Sequence, residues 1–178
     1  FRGRFDRNPS DLQLTGPVVQ DYMTGRRSEE NLTPERLESL VARYDEELLA
    51  VDQHLGEFLE KMRREHPNTV IVVSGDHGEE FFEHGNLGHS HALWEELVRV
   101  PLLMWAPGLA AGRVSSQVRL MDVCPTLLEL AGQTESLPAM QGESLLPVIA
   151  GRETGDRPAP MEVGGDQKPC WQWRGLSD

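Results

Sequence analysis

Four of the six histidines of the chain lie in one stretch, SGDHGEEFFEHGNLGHSH, which runs from Ser74 to His91. They are His77, His84, His89 and His91, and four glycines and four acidic residues lie among them. Imidazole and carboxylate groups together can hold a divalent cation, and the same groups can transfer protons in acid–base catalysis. A solvated polar loop that happens to be rich in histidine is the alternative without chemistry.

Asp76 and His77 are the first candidates for metal ligands because they follow an apolar run, TVIVVS. That run is short, β-branched and apolar on both faces, so it predicts a buried strand of a parallel α/β sheet. Ligands bind at the carboxyl ends of such strands, where flanking glycines let the backbone turn sharply. A carboxylate and an imidazole suit Zn²⁺ or Mn²⁺ and, less naturally, Ca²⁺. Two ligands are too few, so the others must come from His84, His89 or His91, or from outside this stretch.

The elements that must position these residues predict an α/β fold. Thr33 is a suitable N-cap and Pro34 suits the first position of a long helix, in which apolar residues recur at helical spacing until Pro67 ends the pattern. A second apolar strand is predicted from Val100 to Trp105, after the histidine-rich stretch.

Shorter or irregular segments make up the rest of the chain. Asp122 can cap a short helix that Gly132 stops, and Ser144 to Ala150 predicts another. Residues 1–32 are polar and broken by proline and glycine, which predicts an irregular loop, and residues 152–178 predict an irregular tail.

Composition narrows the class of protein. The 178 residues suffice for one domain, and a net charge of −12 argues against a nucleic-acid-binding surface. No run approaches the ~20 apolar residues of a membrane span. The two cysteines are too few for a disulfide framework. A single Cys124–Cys170 bridge is possible, so the sequence leaves the redox compartment open. Cys124 lies on a short apolar helix and is expected to be buried and inert. The absence of an initiator Met and of a signal-peptide hydrophobic region predicts that the chain begins within a longer protein.

Three segments carry linked motifs. VIVVSGDHGEEFFEHGNLGHSHALWEELVRVPLLMWAPG contains a strand, Asp-His-Gly-Glu, Glu-His-Gly, Gly-His, Trp-Glu and Arg-Val-Pro-Leu in that order. RYDEELLAVDQHLGEFLEKM precedes it, and VRLMDVCPTLLELAG with GESLLPVIAG follows it. Together they resemble the sulfatase family of the alkaline phosphatase superfamily, from about Arg43 to Gly151. The resemblance implies the C-terminal portion of a sulfatase domain over 1–178, with the family core over 33–151. It also implies a partial alkaline-phosphatase-like fold, truncated at the N-terminus, with a mostly parallel sheet flanked by helices.

The resemblance also implies roles for single residues. Asp76 and His77 match the ligands that this half of the fold supplies to one divalent ion, with Ca²⁺, Mn²⁺, Mg²⁺ and Zn²⁺ all open. His89 matches the Lys or His that contacts the sulfate and protonates the leaving group. His91 is its alternative, because the loop differs in length by one residue. His84 belongs to the family's Glu/Asp-His-Gly loop and has no assigned contact.

One departure limits what this chain does by itself. The family's nucleophile is a formylglycine made within a Cys/Ser-x-Pro-x-Arg motif, and this sequence contains no such motif. The resemblance therefore implies half a metal site and a general acid for an enzyme that cleaves small anionic sulfate monoesters. The formylglycine is expected upstream, and the isolated chain is expected to be inactive. A phosphodiesterase, phosphonate hydrolase or phosphoglycerol transferase of the same superfamily is one alternative, and a non-catalytic metal-binding module is another.

Overall fold

The computed structural model describes residues 3–5, 21, 32–133 and 140–163. The elements follow in the order α1 (Pro34–Glu65), β1 (Ile71–Ser74), β2 (Glu80–Phe81), β3 (Leu87–Gly88), α2 (Glu95–Val98), β4 (Leu102–Trp105), α3 (Val123–Leu130) and α4 (Leu146–Ile149). A 3-10 turn at Leu120–Asp122 leads into α3. No helix within the described ranges is long and apolar enough to cross a membrane.

The chain forms two compact units. One comprises Phe1–Thr69 with Gly75–Val100, and the other comprises Val70–Ser74 with Pro101–Asp178. The irregular loop predicted over residues 1–32 lies almost wholly outside the described residues, as does the tail beyond residue 163. Residues 152–163 contain bends and no helix or strand.

Helix α1 of the first unit confirms the helix signals in the sequence. The Thr33 side chain accepts a hydrogen bond from the backbone N–H of Arg36, and Pro34 occupies the first turn. The helix ends at Glu65, just before Pro67. Its apolar stripe, however, includes strongly exposed side chains, and the buried residues of the helix are Ser39 and Glu46.

The strands of the second unit correct the predicted direction of pairing. β1 pairs with β4 in antiparallel register, from Ile71 opposite Trp105 to Ser74 opposite Leu102. In the first unit β2 and β3 are antiparallel as well. The prediction of a mostly parallel sheet is therefore wrong for the strands that the structure describes. An apolar run in the sequence indicates that both faces of a strand are buried. Whether the strand pairs parallel or antiparallel depends instead on the connection between the two strands. The connection from β1 to β4 contains a two-stranded hairpin and the four-residue α2 instead of a long crossover helix.

Asp122 in the second unit differs from its predicted capping role. It occupies the N-cap position of α3, but its side chain makes no capping hydrogen bond. Its fully buried carboxylate instead lies 2.8 Å from Nη2 of Arg119 and 3.0 Å from Nη1 of Arg157, and it accepts the backbone N–H of Glu143 at 2.9 Å. Charge-assisted hydrogen bonds from two arginines stabilise a buried carboxylate more than the N–H groups of a helix end do, so the carboxylate oxygens face the arginines. Gly132, at a φ of +73°, follows α3 as the predicted stop.

Cys124 corrects a second expectation from the sequence. It is an exposed free thiol instead of a buried one, because α3 turns Pro125 and Thr126 inward. Cys170 lies outside the described residues.

Candidate active site

Asp76 and His77 follow β1 in the chain and converge as a pair. Asp76 Oδ2 lies 3.7 Å from His77 Nε2, which is within reach of one cation bound at about 2.0–2.2 Å from each atom. Nδ1 of His77 lies 2.9 Å from the carbonyl oxygen of Gly78. Because a carbonyl only accepts, Nδ1 carries the proton and Nε2 keeps its lone pair for a metal.

The electrostatics of Asp76 suit the same role. Its own backbone N–H, followed by the nearby His77, lowers the pKa of the Asp76 carboxyl. The side chain is 90% exposed, so the carboxylate is charged and open to further ligands. The donor set of one carboxylate oxygen and one imidazole nitrogen therefore fits half of a divalent-metal site.

Gly78 fixes the turn that follows this pair. Its backbone N–H donates to the carbonyl of Leu97 at 2.8 Å, which ties the turn to helix α2. A Cβ atom at Gly78 would lie 1.8 Å from the carbonyl oxygen of Glu96. Only glycine allows this close approach of the two backbone segments.

His89 lies against His77. The two rings stack with centroids 3.8 Å apart and an interplanar angle of 29°. Nδ1 of His89 donates to the Glu79 carboxylate, at 3.2 Å from Oε2 and 3.4 Å from Oε1. Nε2 has no hydrogen-bond partner in the described part of the chain. The structure thus brings together Asp76, His77 and His89.

His91 is held differently from His89. Its Nε2 lies 2.6 Å from Glu80 Oε2, and its Nδ1 lies 3.2 Å from the carbonyl oxygen of His89. Each ring nitrogen thus faces an acceptor within the hairpin, which leaves neither free for a substrate. Ser90, with a φ of +70°, separates the two histidines and turns them toward different partners.

Glu80 organises the hairpin that carries these histidines. It is fully buried, and its Oε1 accepts the backbone N–H groups of His84 at 3.0 Å and Asn86 at 2.9 Å. Burial alone raises the pKa of Glu80, but the hydrogen bonds from His91 and these backbone groups outweigh it and lower the pKa. Glu80 is therefore a buried carboxylate anion with its acceptors occupied.

His84 lies on the other side of the hairpin, in a separate set of contacts. Its ring stacks on Trp94 at a centroid distance of 4.0 Å, and Nε2 lies 2.9 Å from Glu96 Oε1. These contacts account for His84 without any catalytic role, in agreement with the sequence analysis.

Sequence reasoning missed Glu79 and Glu80. β2 and β3 pair Glu80 with Gly88, and one step further along this register Glu79 lies opposite His89. The signal was the short glycine-containing loop, Glu-His-Gly-Asn, between two short segments, which is typical of a hairpin.

Comparison with known proteins identifies the family. Residues 14–133 match the family model described as Sulfatase. The chain belongs to the sulfatase family. Arylsulfatase K of Canis lupus familiaris is 34% identical over 120 residues, which cover 65% of this chain and 22% of that protein. The choline-sulfatase of Rhizobium meliloti is 31% identical over 82% of this chain and 28% of its own length. The chain thus spans about a quarter of the length of these relatives.

Solved structures support the alkaline-phosphatase-like fold. The phosphonate monoester hydrolase SpPMH from Silicibacter pomeroyi matches with a TM-score of 0.67 and 25% identity, over 86% of this chain and 33% of that one. BT4656, solved in complex with its substrate D-glucosamine-2-N,6-O-disulfate, matches with a TM-score of 0.59 and 26% identity, over 89% of this chain and 33% of that one. These neighbours confirm the predicted fold family.

Proposed function

We propose that this chain supplies half of a divalent-metal site and the proton donor of an enzyme that hydrolyses sulfate monoesters. The observation that carries the proposal is the convergence of Asp76 and His77 at 3.7 Å with His89 stacked on His77 at 3.8 Å. A carboxylate, a neutral imidazole and a second imidazole in one cluster provide ligands and an acid for the same substrate.

Asp76 and His77 would hold the metal through Oδ2 and Nε2, together with ligands from outside this chain. When bound, the metal polarises the sulfuryl oxygens and neutralises their charge. The hydrogen bond from His77 Nδ1 to the Gly78 carbonyl fixes the ring so that Nε2 faces Asp76. The nucleophile, a formylglycine in this family by resemblance, would also come from outside this chain, so the isolated chain is proposed to be inactive.

His89 is the proposed general acid, and His91 is not. The Glu79 carboxylate accepts from Nδ1 of His89 and orients the ring, which leaves Nε2 as the atom that would carry the proton to the departing oxygen. The two ring nitrogens of His91 contact Glu80 and the His89 carbonyl, so His91 stabilises the hairpin. This geometry supports His89 over His91 as the proposed acid.

The test is the dependence of turnover on the leaving group in the full-length protein. His89→Gln should lower kcat by about 10²–10⁴-fold for alkyl or sugar sulfates, and much less for aryl sulfates whose phenoxide leaves without a proton. His91→Gln is the matched control, whose losses should be alike for both substrates. Equal losses in His89→Gln for good and poor leaving groups would remove His89 from the acid role.

Hydrolysis of phosphonate monoesters is the second candidate function, because two phosphonate monoester hydrolases match the structure with TM-scores of 0.67 and 0.65. Both reactions need a metal, a nucleophile and an acid around a tetrahedral anion, and the described residues serve either. Comparing kcat/KM for an aryl sulfate and an aryl phosphonate monoester with the same leaving group decides between them.

A further inference from the structure

His77, Glu79 and His89 form a cluster that shares His77 with the Asp76–His77 pair and adds Glu79 and His89 as ligands. Each residue offers one nitrogen or oxygen atom, and these atoms all lie within 4.8 Å of one another. The side chains are 43%, 23% and 31% exposed, so an ion from solvent can reach all three. From this cluster we infer a second cation site, selective for Zn²⁺-like ions, which goes beyond the proposed function.

The donor set is the first argument for this site. Two imidazole nitrogens and one carboxylate oxygen, with water in the fourth position, are the ligands of catalytic zinc in several hydrolases. Imidazole favours Zn²⁺ over Mg²⁺ or Ca²⁺, which prefer oxygen. Asp76 is not needed for this set, whereas Glu79 is.

The spacing is the second argument. Zinc bonds of about 2.0–2.1 Å place neighbouring tetrahedral ligand atoms roughly 3.3 Å apart. Nδ1 of His89 and Oε2 of Glu79 are already 3.2 Å apart, so a cation can replace the proton that they share. The ligand atom of His77 lies within 4.8 Å of the other two, so binding of one ion by all three residues requires the stacked rings to change orientation.

The two sites share His77 and therefore compete. An ion held by His77, Glu79 and His89 removes His77 from Asp76 and occupies the nitrogen through which Glu79 contacts His89. Zinc at this second site would thus lower turnover by taking His77 from Asp76 and by breaking the Glu79–His89 hydrogen bond, while Nε2 of His89 stays unoccupied. This consequence for turnover depends on the proposed function, whereas the binding itself does not.

The experiment measures Zn²⁺ affinity of the 178-residue chain by competition with a chromophoric chelator, and Co²⁺ absorption as a second readout. Wild type should bind one Zn²⁺, and Glu79→Gln and His89→Gln should each weaken binding by at least about tenfold, since even the loss of an outer-shell partner costs 10–100-fold. Asp76→Asn removes a nearby charge but no ligand of this site, and it should weaken the binding much less than Glu79→Gln does. Glu83→Gln, an exposed acid of the same hairpin, is the matched control.

The variants are close in shape to the wild-type residues, and far-UV circular dichroism checks that each is folded. Asp76→Asn weakening Zn²⁺ binding as strongly as Glu79→Gln would mean that the ion sits on the Asp76–His77 pair. That result would overturn the inference, as would wild-type affinity in Glu79→Gln and His89→Gln or a failure of the wild-type chain to bind Zn²⁺.

Discussion

The buried carboxylate of Glu80 offers the sharpest test of how this structure holds its histidines. Glu80 has no exposed surface, and it accepts from the ring of His91 at 2.6 Å and from the backbone N–H groups of His84 and Asn86. Glu80→Gln keeps the shape and one carbonyl oxygen for the two backbone groups. It places an amide NH₂ group opposite Nε2 of His91, where at most a neutral hydrogen bond can replace the charge-assisted one.

The expected cost follows from the loss of one charge-assisted hydrogen bond. Such a bond contributes about 1.5–3 kcal/mol, and removal of one partner from a buried ion pair costs about 3–5 kcal/mol. The His91 side chain is 28% exposed and can form replacement hydrogen bonds with water, so the expected loss of stability lies toward the lower of these two ranges. We expect Glu80→Gln to lower the free energy of unfolding by about 2–3 kcal/mol.

The assay is urea denaturation at neutral pH, followed by far-UV circular dichroism. Glu83→Gln is the matched control, because Glu83 is an exposed acid in the same hairpin and should change the free energy of unfolding by less than about 0.5 kcal/mol. A double-mutant cycle with His91→Gln should give a coupling of at least about 0.5 kcal/mol. A Glu80→Gln variant as stable as Glu83→Gln would refute the role assigned to Glu80.

Two further predictions concern the backbone and the ion network. Gly78→Ala should lower the free energy of unfolding by about 1–3 kcal/mol, since its Cβ would meet the Glu96 carbonyl at 1.8 Å. Gly56 lies in the interior of α1 with open space around it, so Gly56→Ala should raise the free energy of unfolding by about 0.5–1 kcal/mol. Urea denaturation that finds Gly78→Ala more stable than Gly56→Ala would contradict both assignments. Burial raises the pKa of Asp122, but hydrogen bonds from Arg119, the Glu143 backbone and Arg157 outweigh it and hold the pKa below the ordinary 3.8. The ionised Asp122 therefore stabilises the fold above that pH, and this contribution is lost as the pH falls through the lowered pKa. Asp122→Asn should therefore be less stable at neutral pH and lose less stability on acidification, as a pH series of urea denaturations can check.

Local signals in the sequence determined those features that depend on neighbouring residues. Thr33, Pro34 and Pro67 bound helix α1 because capping and the lack of a proline N–H act within one turn. Asp76 and His77 converge at the end of a strand because glycine allows a tight turn there. The linked motifs were sufficient to predict the sulfatase family, which the match over residues 14–133 confirms.

Only the tertiary structure decided which distant groups meet. The antiparallel pairing of β1 with β4 depends on the path of the connection, which the apolar pattern of either strand does not encode. The contact of Glu79 with His89 follows from the register of a hairpin whose strands have only two residues each, and Glu80 reaches His91 three residues beyond its register partner Gly88. Asp122 and Arg157 lie 35 positions apart in the sequence and meet at 3.0 Å. A buried charge is stable only beside a partner, and the partners of Asp122 come together only in the folded chain. The choice between a helix cap and an ion network therefore depended on the tertiary structure.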